Sequence, residues 1–224
     1  MRRDEVIDNA RIKAGQVIVG FASFGQAAWE REYNGGMGSN GLTSARHDVF
    51  AKNLMQDFPE SFDPNTDQQW VYSGTQQLTD SVEGVPLDAG KLVLSPTRTY
   101  APLMVQLFPT WRNRISGMVH CSGGAQTKVL HFVKDVHIIK DNLFETPPLF
   151  RMIQSNSGTD WKEMYKVFNM GHRMEIYTDE EAAQGMIATA KSLGIDARII
   201  GRCEAYEGEK VTVSGEHGTY VYTN

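Results

Sequence analysis

Apolar residues fall into short runs and alternating stretches that predict β-strands. Residues 16–22 are almost wholly apolar, as expected of a strand buried on both faces. In residues 173–177, Met174 and Ile176 alternate with polar side chains, which predicts a half-buried strand. Further strands are predicted at residues 91–94, 115–121, 137–139 and 197–200, with a closing hairpin at 211–213 and 220–222.

Apolar residues spaced three or four positions apart predict helices between these strands. A helix over residues 42–56 is expected to be capped by Ser39 or Asn40, and one over 179–193 to end at Gly194. Thr159 is the expected cap of a further short helix. The other predicted helices cover residues 100–108, 125–133 and 149–154, and residues 57–85 are predicted to form a polar surface excursion.

The strands and helices alternate along one uninterrupted chain. No internal repeat or low-complexity linker divides residues 1–224, so we predict a single domain. Hairpin-like segments interrupt the alternation, which favours a mixed sheet over a purely parallel one. The expected fold is therefore α+β, a mixed β-sheet with helices on both faces in three α/β/α layers.

Composition and charge exclude some classes of protein. The chain has 22 Lys and Arg against 27 Asp and Glu, a net charge of −5, and it has no basic run, which argues against nucleic-acid binding. No window approaches the roughly 20 apolar residues of a membrane helix, and the N-terminus lacks an apolar signal core. Cys121 and Cys203 cannot form a disulfide framework, so we expect free thiols in the cytoplasm.

Three loops contain residue types that bind phosphate. Residues 35–41 and 122–124 are glycine-rich and lead into predicted helices, where bared N–H groups attract anions. The third loop places Thr97 and Arg98 after the rigid Pro96. Each signal is weak by itself because glycine loops are usually turns, and neither G-x-x-x-x-G-K-[ST] nor G-x-G-x-x-G is present.

His120 stands at the end of a predicted strand, directly before a glycine turn. This placement suits ligand contact, but it equally suits a histidine satisfied within the core. The neighbouring Cys121 should point to the opposite face of the sheet, so a buried structural thiol is favoured over a Cys–His catalytic pair. The histidine spacings do not match a zinc site, and no metal ligand is predicted in this chain.

Six ordered motifs carry a family resemblance that covers about residues 5–205. The chain resembles the C-terminal half of the phosphoribosylformylglycinamidine cyclo-ligase family, also called aminoimidazole ribonucleotide synthetases. The motifs are the entry segment at residues 6–20, GSNGLTSAR at 38–46, SPTRTY at 95–100, GMVHCSGG at 117–124, PPLFRMIQ at 147–154 and EMYKVFNMG at 163–171.

The chain departs from the family pattern at four places. Gly38 stands where the family usually has His, and an insert at residues 26–37 precedes it. Ala125 replaces the usual third glycine after Gly124, and Arg173 stands where the family has a second glycine after Gly171. These departures indicate a divergent subgroup and remove any histidine role at position 38.

The resemblance also implies that a domain is missing. The family's N-terminal domain contains a D-G-x-G-T-K loop for Mg²⁺ and ATP phosphates, and nothing in this chain matches it. We therefore interpret the chain as a fragment, a single C-terminal-type domain over residues 1–224 that is inactive alone. Its expected partners are the N-terminal domain of the parent protein and a second copy in a full-length homodimer.

The implied reaction converts formylglycinamidine ribonucleotide and ATP to aminoimidazole ribonucleotide, ADP and phosphate in de novo purine biosynthesis. The cofactors are ATP and Mg²⁺, bound mostly by the missing domain. The resemblance implies that His120 contacts substrate or transfers a proton and that Asn40 orients the ligand. Phosphate is expected to bind to Thr97, Arg98, Ser122, Gly123 and Gly124.

Two alternative functions remain open. One is another ATP-using enzyme of the same superfamily, similar to selenophosphate synthetase, thiamine-monophosphate kinase or a hydrogenase-maturation protein. The matches at residues 96–98 and 147–150 argue against it. The other is a non-catalytic ligand-binding or assembly domain that requires a partner.

Overall fold

The computed structural model describes residues 5–223, and within them a seven-stranded sheet forms the middle of the molecule. The strand order is β2-β4-β1-β5-β3-β6-β7. Neighbouring strands are antiparallel except β3 and β6, which are parallel, so the prediction of a mixed sheet is confirmed. The strands are β1 Val17–Ala22, β2 Gly117–His120, β3 Val136–Lys140, β4 His172–Thr178, β5 Ala197–Ala205, β6 Glu209–Gly215 and β7 Gly218–Thr223.

Helices cover both faces of the sheet, as predicted. Val19 and Phe21 of β1 pack against α4 (Ala101–Trp111) and α7 (Glu180–Ser192) on one face. Ile18 points to the other face, because successive strand residues alternate in direction. The helices on that face are α1 Leu42–Val49, α2 Leu54–Asp57, α3 Ala89–Val93, α5 Pro148–Ser157 and α6 Trp161–Val167.

The predicted helix over residues 42–56 is interrupted. After Val49, Phe50 is extended, and Phe50 and Ala51 form parallel bridges to Gln76 and Gly74. These bridges fix the backbone outside the helical region, so α1 ends and the separate four-residue α2 follows. They also attach the segment 57–85 to the domain, where buried Val71 and Tyr72 correct its description as a surface excursion.

Three local predictions change for reasons of capping and geometry. Residues 91–94 are not a strand, because the Asp88 carboxylate accepts the Lys91 N–H at 2.7 Å and starts α3. Asp160, not Thr159, caps α6 by accepting from Glu163 N at 3.1 Å. The predicted helix at 125–133 is a 3₁₀ helix over Ala125–His131.

Every residue of strand β4 except the half-buried Met174 is buried, so the prediction of a half-buried strand is wrong. The strand lies between β1 and β2 with layers on both faces, so its polar residues are enclosed. Arg173 and Glu175 are therefore buried charges in the centre of the domain. No helix within residues 5–223 is long and apolar enough to cross a membrane.

Candidate functional site

The predicted loops meet at one edge of the sheet. Strands β1 and β2 both run antiparallel to β4, so their ends and the start of β4 lie together. We call residues 34–41, which follow β1, the entry loop. The Gly38 N–H donates to Ser95 O at 3.1 Å, and Ser39 N–H donates to Thr97 Oγ1 at 3.1 Å. Thr97 is thereby brought to the entry loop, as its predicted role requires.

Asn40 connects the entry loop to the turn after β2. Its Nδ2 donates to the carbonyl of Val167 at the end of α6, at 2.9 Å. Its Oδ1 lies 3.7 Å from the position that a Cβ on Gly123 would take. The predicted residues Asn40 and Gly123 therefore form one surface. The prediction that Ser39 or Asn40 caps α1 is wrong, since Gly41 is the cap residue and no side chain caps it.

Residues Ser122, Gly123 and Gly124 form a tight turn, called here the glycine turn. The Ser122 N–H donates back to His120 O at 2.8 Å, and Ala125 N–H donates to Ser122 O at 2.7 Å. The N–H groups of Gly123 and Gly124 donate to nothing in the described part of the chain. Two adjacent unengaged amides in a turn attract anions, so phosphate binding at this turn stays a prediction.

Gly123 is not required by the backbone of this turn. Its φ lies outside the left-handed region, and a Cβ there would meet no atom closer than the 3.7 Å of Asn40 Oδ1. Neither the backbone conformation nor a lack of space therefore requires glycine at position 123. The absence of a side chain leaves the surface open for a ligand to approach the backbone. The start of α1 faces the same region without a side-chain cap, so its dipole and first amides also attract negative charge.

His120 is exposed, so the core-histidine alternative is wrong. Its imidazole ring forms no hydrogen bond with residues 5–223, and its register partner is Met174. Partial burial of the ring, followed by the charge of Arg173, lowers its pKa below the usual value. The imidazole is therefore neutral at pH 7, a form that can accept a proton. Its contact with a ligand remains a prediction.

Cys121 is buried, as predicted for a structural thiol. Burial, with the negative Glu175 close by, raises its pKa well above the usual value, so the thiol stays protonated. Cys203 is also buried and is a free thiol.

Arg98 has no donor left for a phosphate, which corrects that prediction. Its Nε and Nη2 bind the Glu30 carboxylate at 2.9 and 2.6 Å. Its remaining N–H groups donate to the carbonyls of Ala22, Phe24 and Gly25 at 2.8 to 3.0 Å. All five N–H groups are thus used to hold the chain after β1, and Arg98 is a structural residue.

The structure contains a buried ionic network below the glycine turn that was not predicted from the sequence. Lys140 Nζ donates to Glu175 Oε1 at 2.5 Å and to both oxygens of Gln126. His172 Nε2 reaches the same Oε1 at 2.9 Å, and the Tyr177 hydroxyl donates to Oε2 at 2.7 Å. Burial by itself raises the pKa of Glu175, but Lys140 and His172 outweigh it and lower the pKa to about 2.

This network does not fit a metal ion. Ligand atoms of Cys121, His172 and Glu175 lie within 4.8 Å of one another. The Lys140 ammonium already binds the carboxylate, and a second cation there would face its charge at close range. The cluster is therefore a structural network, and Lys140 connects it to Gln126 in the 3₁₀ helix that follows the glycine turn.

Arg173 is the second buried cation that sequence reasoning missed. Its Nη2 donates to the carbonyls of Gly36 and Met37 in the entry loop. The alternation of residues 173–177 held a signal, namely charged residues in an otherwise apolar strand, but the pattern indicated a solvent-facing edge.

A comparison with known families decides the classification. A model of the family described as "AIR synthase related protein, C-terminal domain" matches residues 13–214. The chain belongs to this family. The AIR synthase-related C-terminal domain also matches proteins named phosphoribosylformylglycinamidine cyclo-ligase. The one from Syntrophus aciditrophicus is 29% identical over 218 residues, covering 93% of this chain and 51% of the relative. The one from Methanocaldococcus jannaschii is 29% identical over 202 residues, covering 90% and 48%.

The chain spans about half the length of the curated relatives it matches. Among solved structures, the E. coli hydrogenase maturation protein HypE is 17% identical, with a TM-score of 0.49 over 98% of this chain and 52% of that chain.

Proposed function

We propose that this chain is the C-terminal half of an ATP-dependent cyclo-ligase that converts formylglycinamidine ribonucleotide to aminoimidazole ribonucleotide, ADP and phosphate. The observation that carries the proposal is the match to proteins named phosphoribosylformylglycinamidine cyclo-ligase along nearly the whole chain. Membership of the AIR synthase-related family supports it independently.

The chain's own part in the reaction is to bind and orient the ribonucleotide. The free amides of Gly123 and Gly124 and the uncapped start of α1 provide donors for phosphate oxygens. Asn40 and Thr97 line the same edge and hold the entry loop in place. We assign to neutral His120, at the end of β2, the role of accepting or returning a proton during ring closure, which its lowered pKa supports.

ATP and Mg²⁺ are assigned to the N-terminal half of the parent protein. When bound, Mg²⁺ neutralises charge on the transferring phosphoryl group. The described residues fit this ion poorly. Among them, Cys121, His172 and Glu175 form the one close group of possible ligands, and Lys140 already binds the Glu175 carboxylate. We further propose a cytoplasmic full-length homodimer.

Ligand binding tests the proposal without turnover. In calorimetric titrations of the chain, formylglycinamidine ribonucleotide should bind, and its dephosphorylated riboside should bind much more weakly. Thiamine monophosphate is the control ligand, because it is also a phosphate monoester but belongs to a different enzyme of the superfamily. Preferential binding of thiamine monophosphate, or equal binding of ribonucleotide and riboside, would contradict the assignment.

A further inference from the structure

Arg173 is a buried cation without a counter-ion. Its side chain lies in β4 and the residue is only 2% exposed. Nη2 donates to two carbonyls, Gly36 O and Met37 O, whereas Nε and Nη1 donate to nothing in the described residues. No Asp or Glu within residues 5–223 forms an ion pair with it. Burying an unpaired guanidinium is costly, and an anionic ligand removes that cost.

The other two buried cations show what a structural role requires. Arg98 uses every N–H on carbonyls and on Glu30. Lys140 places its ammonium on Glu175 and on both oxygens of Gln126. Arg173 lacks both a carboxylate and a full set of acceptors. Its unpaired nitrogens are not fully sealed from outside, unlike those of Trp29 and His172.

The guanidinium occupies the place of a side chain at position 38. A Cβ on Gly38 would lie 2.7 Å from Nη1 of Arg173, so no side chain fits there. Gly38 begins the three residues that lead through Asn40 to the uncapped start of α1. The guanidinium therefore lies against position 38, three residues before Gly41, the cap residue of α1.

The absence of a side chain at position 38 therefore leaves the room that the Arg173 guanidinium occupies.

We propose that Arg173 is the cation of an anion-binding position at the start of α1, and that it binds a phosphate group. Its Nε–H and Nη1–H are free to donate to phosphate oxygens, and the helix start adds backbone donors. Assigning the ligand as the 5′-phosphate of the ribonucleotide rests on the proposed function. The anion site itself does not.

Titration of the 224-residue chain with inorganic phosphate and ribose 5-phosphate tests this. Arg173→Gln should weaken binding of both by about 10- to 150-fold, the usual range for a charge-assisted hydrogen bond. Arg173→Lys should weaken it less. Arg31→Gln, which removes an exposed arginine of the insert, should change neither affinity. Unchanged affinity in folded Arg173→Gln overturns the proposal. If that variant does not fold, the Arg173 Nε–H resonance of the unaltered chain decides, and it must shift on addition of phosphate.

The close approach of Gly38 and Arg173 provides a second measurement. Gly38→His alone should clash with the guanidinium and destabilise the fold, since even the Cβ has no room. Gly38→His combined with Arg173→Gly should recover much of that stability and restore phosphate binding at low pH. Equal destabilisation in both variants would show that the two positions do not share one space.

The outcomes separate this proposal from the proposed function. Phosphate binding that depends on Arg173, without any preference for formylglycinamidine ribonucleotide, retains the anion site and rejects the cyclo-ligase assignment. Ribonucleotide binding that Arg173→Gln does not change rejects the anion site and retains the cyclo-ligase assignment.

Discussion

Replacing Lys140 by Met should destabilise the protein strongly, because it leaves the Glu175 carboxylate buried without its cation. Both side chains are fully buried, and Nζ lies 2.5 Å from Oε1. Burial raises the pKa of Glu175, but Lys140 and then His172 outweigh it and lower that pKa to about 2, so the folded protein favours the ionised form. Breaking a buried pair from one side costs about 3–5 kcal/mol, which is the loss expected here.

The pH dependence of this effect has a definite sign. A carboxylate whose pKa is lowered by folding contributes stability above the pKa of the unfolded chain and loses it as pH falls toward the folded value. The pair therefore stabilises fully at pH 7, and its contribution declines between about pH 4.5 and 2. In Lys140→Met the pKa of Glu175 rises, so the difference from the unaltered protein should shrink with acidification.

Urea unfolding of both proteins between pH 7 and pH 3 measures this difference. Arg202→Met is the control, because it breaks two half-exposed pairs, with Asp141 and Glu204, and should cost no more than about 1 kcal/mol per pair. Glu175→Gln should reduce the cost of Lys140→Met, since it removes the stranded charge. A loss below about 1 kcal/mol at pH 7, or one that does not change with pH, would refute this account of the buried pair.

Three further predictions concern the site. In the complete enzyme, His120→Ala should lower kcat/KM by roughly 10²-fold or more, the scale of a positioned acid or base, while His131→Ala, an exposed control, should not. Gly123→Val should fold normally, because its Cβ has open space, but should weaken ribonucleotide binding in calorimetry; unchanged affinity would count against the glycine turn. Arg98→Met should lower thermal stability by removing all its bonds to Glu30 and the carbonyls after β1, without a specific loss of phosphate affinity, and normal stability would restore Arg98 as a ligand candidate.

The local hydrophobic pattern was sufficient to predict a strand or helix where burial and periodicity agree. The apolar run that became β1 and the capped helix α7 follow directly from residue order, because Asp179 caps α7 and Gly194 has a φ of +75° after it. The run at residues 91–94 was ambiguous, since a short apolar run fits a strand and a buried helix equally well. The Asp88 cap decided in favour of the helix.

The buried charges could not be derived from sequence for a different reason. Alternation along residues 173–177 describes two faces but does not say what covers them. Only the position of β4 between β1 and β2, with Lys140 arriving from β3, makes Glu175 a core residue. Likewise, Gly38 and Arg173 share one space only after the entry loop has folded over β4.

Complementation by the proposed N-terminal half tests the central claim most directly. The purified chain is mixed with the N-terminal half that we propose for its parent protein, Mg-ATP and formylglycinamidine ribonucleotide, and ADP release is followed over hours. We expect turnover only when both halves are present, and its loss with His120→Ala. Sustained ADP release by the 224-residue chain alone, or no release from a mixture in which the two halves have associated, would contradict the account.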